Sequence, residues 1–124
     1  MRHNIKTTDF SITPSIKNYL EEKISHLDKF INPEDKEAVM CYVEIGKTTN
    51  HHKKGDLFVA ELTVHIGGKS LRAAEKQEDL YAAIDVVTEE MAEELKTYKD
   101  RKISLIKKGG AKLKSLIKGL YADK

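Results

Sequence analysis

Residues 69–85 read KSLRAAEKQEDLYAAID, and this stretch decides the fold. It follows an alternating apolar run, residues 58–66, across Gly67-Gly68. Two glycines between strand-like runs signal a tight turn. A short fourth strand over residues 70–74, carrying Arg72, therefore folds back on the run before it. The chain then passes through Glu78-Asp79, expected in a first helical turn, into a long helix. Leu80, Ile84, Val87, Met91, Leu95 and Tyr98 recur at steps of three and four, tracing one helical stripe.

Upstream, residues 2–9 read as a first strand with Ile5 and Phe10 as apolar contacts. Thr13-Pro14 supplies an N-cap and a proline at the first helical position. Ile16, Leu20, Ile24, Leu27 and Ile31 then follow helical spacing until Asn32-Pro33 stops the helix. Residues 38–45 form a second strand, with Val39, Cys41, Val43 and Ile45 inward and Tyr42 and Glu44 outward. Residues 46–56, GKTTNHHKKGD, read as a polar loop. In the third strand Phe58, Ala60, Leu62, Val64 and Ile66 share the core face. The predicted class is α+β, in the order β-α-β-β-β-α. Each helix has one apolar stripe, so both are expected on one face of a four-stranded sheet. The other face is left to solvent.

The chain has 124 residues, 40% apolar and 34% charged, enough for one core with a charged surface. The lone Cys41 forms no internal disulfide, which favours a reducing compartment. No secretory leader pattern and no apolar run of about 20 residues is visible, so a cytoplasmic, soluble protein with no membrane partner is expected. The net charge of +2 hides an asymmetry. From Lys96 onward ten basic residues face two acids, whereas eighteen acids outnumber twelve basic residues before it. A basic arm on an acidic body suggests contact with a polyanion, RNA, DNA or an anionic membrane, in preference to a merely solvated tail. The division is drawn at residues 1–101 for the body and 102–124 for the tail. Gly109-Gly110 is expected to break the helix. Leu113, Leu116, Ile117 and Leu120 then describe at most a short amphipathic helix, or a disordered tail.

Chemistry-bearing patterns are sparse. His51-His52 has no Cys or His partner at zinc-site spacing, so a polar loop tip near phosphate, with Lys47, Lys53 and Lys54, is the better reading. No nucleophilic triad signature and no phosphate-cradling glycine loop is present; neither catalysis nor a cofactor is expected. Lys17, Lys23 and Lys29 run along one side of the first helix, off its apolar stripe. With Lys99, Arg101 and Lys102 they are candidates to rim one end of the domain and hold phosphates without reading bases. Glu21, Glu22 and Asp28 intervene, so an ordinary solvated face stands beside that reading.

Two stretches, SITPSIKNYLEEKISHLDKF at 11–30 and LRAAEKQEDLYAAID at 71–85, resemble the ribosome hibernation promoting factors, also called ribosome-associated inhibitor A or ribosomal subunit interface proteins. The resemblance covers residues 1–101 and implies a fold like the double-stranded-RNA-binding domain. It implies occupancy of the messenger and transfer RNA channel of the small ribosomal subunit, blocking translation under stress or in stationary phase. No reaction is implied. The contacts implied are cations on phosphates of 16S-type ribosomal RNA, beside neighbouring ribosomal proteins. The resemblance carries over Lys17, Lys23, Lys29, Lys76, Lys99 and Arg101 as basic positions, with Arg72 of the LRA motif orienting the strand-four edge; with Lys102 from the charge reading, Lys17, Lys23, Lys29, Arg72, Lys76, Lys99, Arg101 and Lys102 are the expected RNA-binding residues. Tyr81 belongs to the signature, as a packing or an RNA residue.

Two departures stand out. Residues 88–95, TEEMAEEL, place Glu90 and Glu93 where the family usually carries basic residues. Glu89 and Glu94 are expected beside them on one exposed side, and the lysine-rich tail is expected to compensate. Long members carry a further C-terminal domain that pairs ribosomes. This chain looks like a short form, without a self-dimerisation domain of that type.

Overall fold

The computed structural model describes residues 1–49 and 55–122. The elements are β1 (Arg2–Thr8), α1 (Pro14–Ser25), β2 (Met40–Thr49), β3 (Asp56–Ile66), β4 (Lys69–Gln77) and α2 (Leu80–Ala122). Two 3-10 turns, His26–Phe30 and Pro33–Asp35, link α1 to β2. The sheet order is β1-β2-β3-β4. β1 runs parallel to β2, and the other two pairings are antiparallel. The expected α+β class, element order and four-stranded sheet are therefore present.

Register follows from the alternation of apolar side chains. Ile5 pairs with Val43, Val43 with Leu62, and Leu62 with Ala73, giving one apolar row across all four strands. A one-residue slip would turn that row to solvent. Leu20, Ile24, Leu27 and Ile31 pack above it from one side. Leu80, Ile84, Val87, Met91 and Leu95 pack beside them in the same core, and all are buried. Each such side chain contributes roughly 1.5–3 kcal/mol on burial. The opposite sheet face carries the row Asn4, Tyr42, Thr63 and Arg72, and Tyr42 remains 45% exposed.

Local chemistry sets the helix ends. The Thr13 hydroxyl accepts from the Ile16 amide at 3.2 Å, and Pro14 follows as the first helical residue. α1 tightens into the 3-10 turn at His26, short of the expected end at Ile31, yet Leu27 and Ile31 stay buried. Such tightening is common at helix C-termini. At α2, Asp79 stands just before the helix rather than in its first turn. Its carbonyl accepts from Ala83 at 3.0 Å and its carboxylate from the Tyr81 amide at 3.4 Å.

Three expected boundaries move. β2 continues to Thr49 and β3 begins at Asp56, so residues 46–49 and 56 of the predicted loop are ladder; Lys47 pairs with Phe58 and its ammonium meets Asp56 at 3.0 Å. Backbone pairing needs no apolar side chain, so a polar sequence conceals it. His51, His52, Lys53 and Lys54 lie outside the described residues. β4 runs to Gln77 instead of Ala74. α2 passes through Gly109-Gly110 without the expected break, and the division at 101–102 falls inside it. Glycine lowers helix propensity by about 1 kcal/mol but, unlike proline, does not forbid helical geometry. The side chains of Leu113, Leu116, Ile117 and Leu120 lie outside the described residues. Among the described residues no helix is long and apolar enough to cross a membrane.

Tyr19, Lys23 and Asp85 pin the two helices together. The Tyr19 hydroxyl donates to Asp85, and the Lys23 ammonium lies 3.3 Å from the same carboxylate. Tyr81 packs edge-on against Tyr19 at 4.9 Å between ring centres. The hydrogen bond from Tyr19, followed by Lys23, holds the Asp85 carboxyl below its ordinary range. A depressed carboxyl stabilises the fold above its unfolded pKa and loses that contribution as pH falls through the folded one. Tyr19→Phe should therefore cost about 1 kcal/mol at neutral pH, a charged hydrogen bond discounted for exposure. The deficit should vanish in acid below the carboxylate range, as read by urea titrations at several pH values.

Gly67 and Gly68 adopt left-handed backbone, φ 55° and 78°. A Cβ on Gly67 would run into the Tyr98 hydroxyl, whereas Gly68 faces open space. Gly68→Ala should cost about 1–2 kcal/mol through backbone strain alone. Gly67→Ala should cost more, and adding Tyr98→Phe should recover part of the difference in thermal melts.

Candidate nucleic-acid interface

Seven of the eight basic residues expected at the interface fall into four places, and the eighth, Lys99, is partly covered on α2. Lys23 and Lys29 line one groove, where the end of α1 and its 3-10 turn meet Asp85, Thr88 and Glu89 of α2. Arg101 and Lys102 line a second groove, between α2 and the start of β4. Lys17 lines a shallow hollow beside β1, with His3, Asn4 and Ile12. Arg72 and Lys76 project from the helix-free sheet face, where Arg72 sits opposite Thr63 and Lys76 opposite Val59. The six expected on one rim do not line one groove: Lys23 and Lys29 line the first, Arg101 and Lys102 the second, and Lys17 the hollow beside β1. A strand alternates its faces, so two residues outward of β4 cannot join cations on the helix layer.

Availability differs as much as position. The Lys23 ammonium is raised in pKa by its hydrogen bond and charge contact with Asp85 and lies 5.5 Å from the Tyr19 ring centre. Its charge is already opposed. Arg72 is held more firmly, by two 2.9 Å hydrogen bonds to Glu61 that raise its pKa. Glu61 lies directly across from Glu44, a like-charge pairing that destabilises a ladder. Arg72 offsets one acid, and the Thr8 hydroxyl, 3.2 Å from Glu44, binds the other. The geometry gives Arg72 a role in the sheet.

Lys29 is exposed, with its ammonium 5.1 Å from the Phe30 ring centre. Lys17, Lys76, Arg101 and Lys102 are also exposed, and Lys99 is partly covered. The second groove adds Lys69, which the sequence reading passed over. It is the first residue after the Gly67-Gly68 turn and lines the groove with Leu71, Tyr98 and Leu105. Turn geometry together with the adjacent helix face would have found it. The basic arm begins here: α2 carries Ile103, Leu105 and Ile106 exposed among Lys102, Lys107 and Lys108.

The four α2 acids do not share one side. Glu89 lines the α1 groove, whereas Glu94 lines the β4 groove. Glu90 leans on Glu75 of β4; partial burial first, then that carboxylate, raises its pKa. Glu90 and Glu93 line neither groove, and Glu93 is exposed. No cluster of three or more metal-ligating side chains occurs among the described residues. The thiol of Cys41 is buried in the core, which pushes it up to about 12 and leaves it unreactive at neutral pH.

Comparison with known proteins identifies the family and the fold. Residues 3–103 match the family described as Sigma 54 modulation protein / S30EA ribosomal protein. A ribosome hibernation promotion factor of Staphylococcus aureus (strain COL) is 32% identical over 101 residues, 82% of this chain and 50% of that protein. One from Lactococcus lactis subsp. cremoris (strain MG1363) is also 32% identical over 101 residues, 51% of its length. The chain thus spans about half the length of these curated relatives. Among solved structures, the N-terminal domain of Thermus thermophilus Protein Y superposes with a TM-score of 0.65 at 26% identity, over 79% of this chain and 99% of that one. A ribosomal subunit interface protein from Coxiella burnetii shares the fold, with a TM-score of 0.58 at 19% identity, over 79% of this chain and 98% of its own. With its signature segments, its sheet order and its paired helices all in agreement, the chain belongs to the Sigma 54 modulation protein / S30EA ribosomal protein family.

Proposed function

We infer that this chain is a ribosome hibernation factor. It binds the small ribosomal subunit in the messenger and transfer RNA channel and inhibits translation by occupying it. The family match across residues 3–103 carries this reading. The chemistry agrees with it: Lys17, Lys29, Lys76, Arg101 and Lys102 are exposed cations on the folded body. Such a protein holds phosphates by position and shape and carries out no reaction. A ribosome-bound protein of this kind works in the cytoplasm.

The structure ranks the cations. Lys29, Arg101 and Lys102 are exposed and have no carboxylate within ion-pair distance among the described residues, whereas Lys23 and Arg72 are engaged. Arg101→Glu/Lys102→Glu should weaken binding to purified small subunits and lower the slope of log affinity against log salt by about one to two. Arg72→Gln should change subunit affinity little and fold stability more. Sedimentation of subunits with each variant across a salt series measures both. Wild-type protein that fails to sediment with subunits at moderate salt would overturn the reading.

The lysine-rich end of α2 supplies the attraction that Glu90 and Glu93 withhold. Deleting residues 109–124 should therefore weaken subunit binding and flatten its salt dependence, in the same assay. The exposure of Leu105 and Ile106, at 67% and 64%, favours a second reading in which this basic amphipathic end docks on anionic lipid. Tail-dependent sedimentation with anionic vesicles, and none with ribosomes, would select it.

A further inference from the structure

β4 lies at the edge of the sheet, paired on one side only, with β3. Its other side presents a row of backbone N–H and C=O groups with no strand partner. α2 runs antiparallel to β4 along this edge, and the two ends of the resulting groove differ in charge. At the Gly67-Gly68 end, three cations, Lys69, Arg101 and Lys102, and one acid, Glu94, surround an apolar floor of Leu71, Tyr98 and Leu105 in a cavity of about 210 Å³, so this end is basic on balance. At the other end Glu75 contacts Glu90. Neither acid has a cation at ion-pair distance among the described residues.

An extended segment laid on this edge must bring an acid to the Lys69 end and a cation to the Glu75 end. β4 itself, run in the opposite direction, meets that requirement. We propose that β4 pairs antiparallel with β4 of a second copy about a two-fold axis at Ala73, joining two sheets into one. The contact is isologous, so each complementary pair occurs twice.

Side-chain alternation restricts the register. On the helix-covered face, Ala73 meets Ala73, Leu71 meets Glu75 and Lys69 meets Gln77 of the second copy. Lys69 and the second copy's Glu75 become diagonal neighbours, within reach of long side chains. On the open face, Arg72 meets Ala74 and Ser70 meets Lys76. Moving the axis to Arg72 would oppose two guanidiniums, and moving it to Ala74 would set Arg72 against Lys76. Odd-numbered slips would place the apolar faces on opposite sides. Lysines on an edge usually repel a strand partner. In this register Lys69 finds an acid and Lys76 a hydroxyl, so the same lysines select one partner over others. The axis also runs the two α2 helices in opposite directions, turning the Glu90 flank of each toward the Arg101 flank of the other.

Sedimentation velocity of the full chain over a concentration series tests this without any ribosome, so its outcome is independent of the functional reading. The wild type should pass from the 14.1 kDa chain to a species of twice that mass. Lys69→Glu and Glu75→Lys should each weaken self-association at least about tenfold, because each juxtaposes like charges twice. An equimolar mixture of the two variants should regain the dimer, since each supplies what the other lacks. The double variant Lys69→Glu/Glu75→Lys should also dimerise. A wild type that stays monomeric at every concentration overturns the proposal and leaves the edge to another occupant. So does a dimer indifferent to both reversals, or a mixture that fails to associate.

Discussion

Burial of two helical stripes against one pleated face is the constraint on which the rest depends. The strands present a side chain to that face every second residue, and the helices every third or fourth. The row Ile5, Val43, Leu62 and Ala73 is where these periods meet. Once it is covered, the other face can only be polar, and each cation is assigned to a layer by the parity of its position. Arg72 and Lys76 are outward because Leu71 and Ala73 are inward. The distribution of charge on this molecule is thus a by-product of its core.

A second level of organisation lies in which charges the fold consumes. Asp85 binds Tyr19 and Lys23, and Glu61 binds Arg72. The first joins elements far apart in sequence, α1 and α2, and the second ties the neighbouring strands β3 and β4. They lie at half-exposed positions, where single ion pairs contribute modestly, and they matter more for fixing the angle between elements. Cations left over from this internal pairing are the ones a polyanion can use.

The sequence made the fold legible wherever periodicity was strong. The stripes of Leu20 and Ile24 and of Ile84, Val87 and Met91 are all buried as read, and so is the alternation of Cys41, Val43 and Ile45. It was less legible at boundaries set by backbone bonds, as where β2 continues through Gly46, Lys47 and Thr48. Gly109-Gly110 misled because propensity was read as prohibition. For the site, sequence identified exposed lysines and arginines but not their companions. That Lys23 is bound to Asp85, 62 positions away, and that Glu90 touches Glu75 follow from tertiary packing. No local pattern encodes either contact. Lys69 was missed for the same reason, since its groove exists only when α2 lies beside β4.

The uninterrupted course of α2 bears on how the molecule's charge is felt by its surroundings. From Tyr98, which meets the hairpin turn, the helix continues 24 residues to Ala122. At 1.5 Å per residue that is about 36 Å of rod. Counter-ions at physiological salt fade a field over about 8 Å. The field of the acidic residues before Lys96 therefore fades well short of the far end of the helix axis, and the formal +2 averages over two ends of opposite sign. Local sign, rather than net charge, governs how such a molecule meets other charged species.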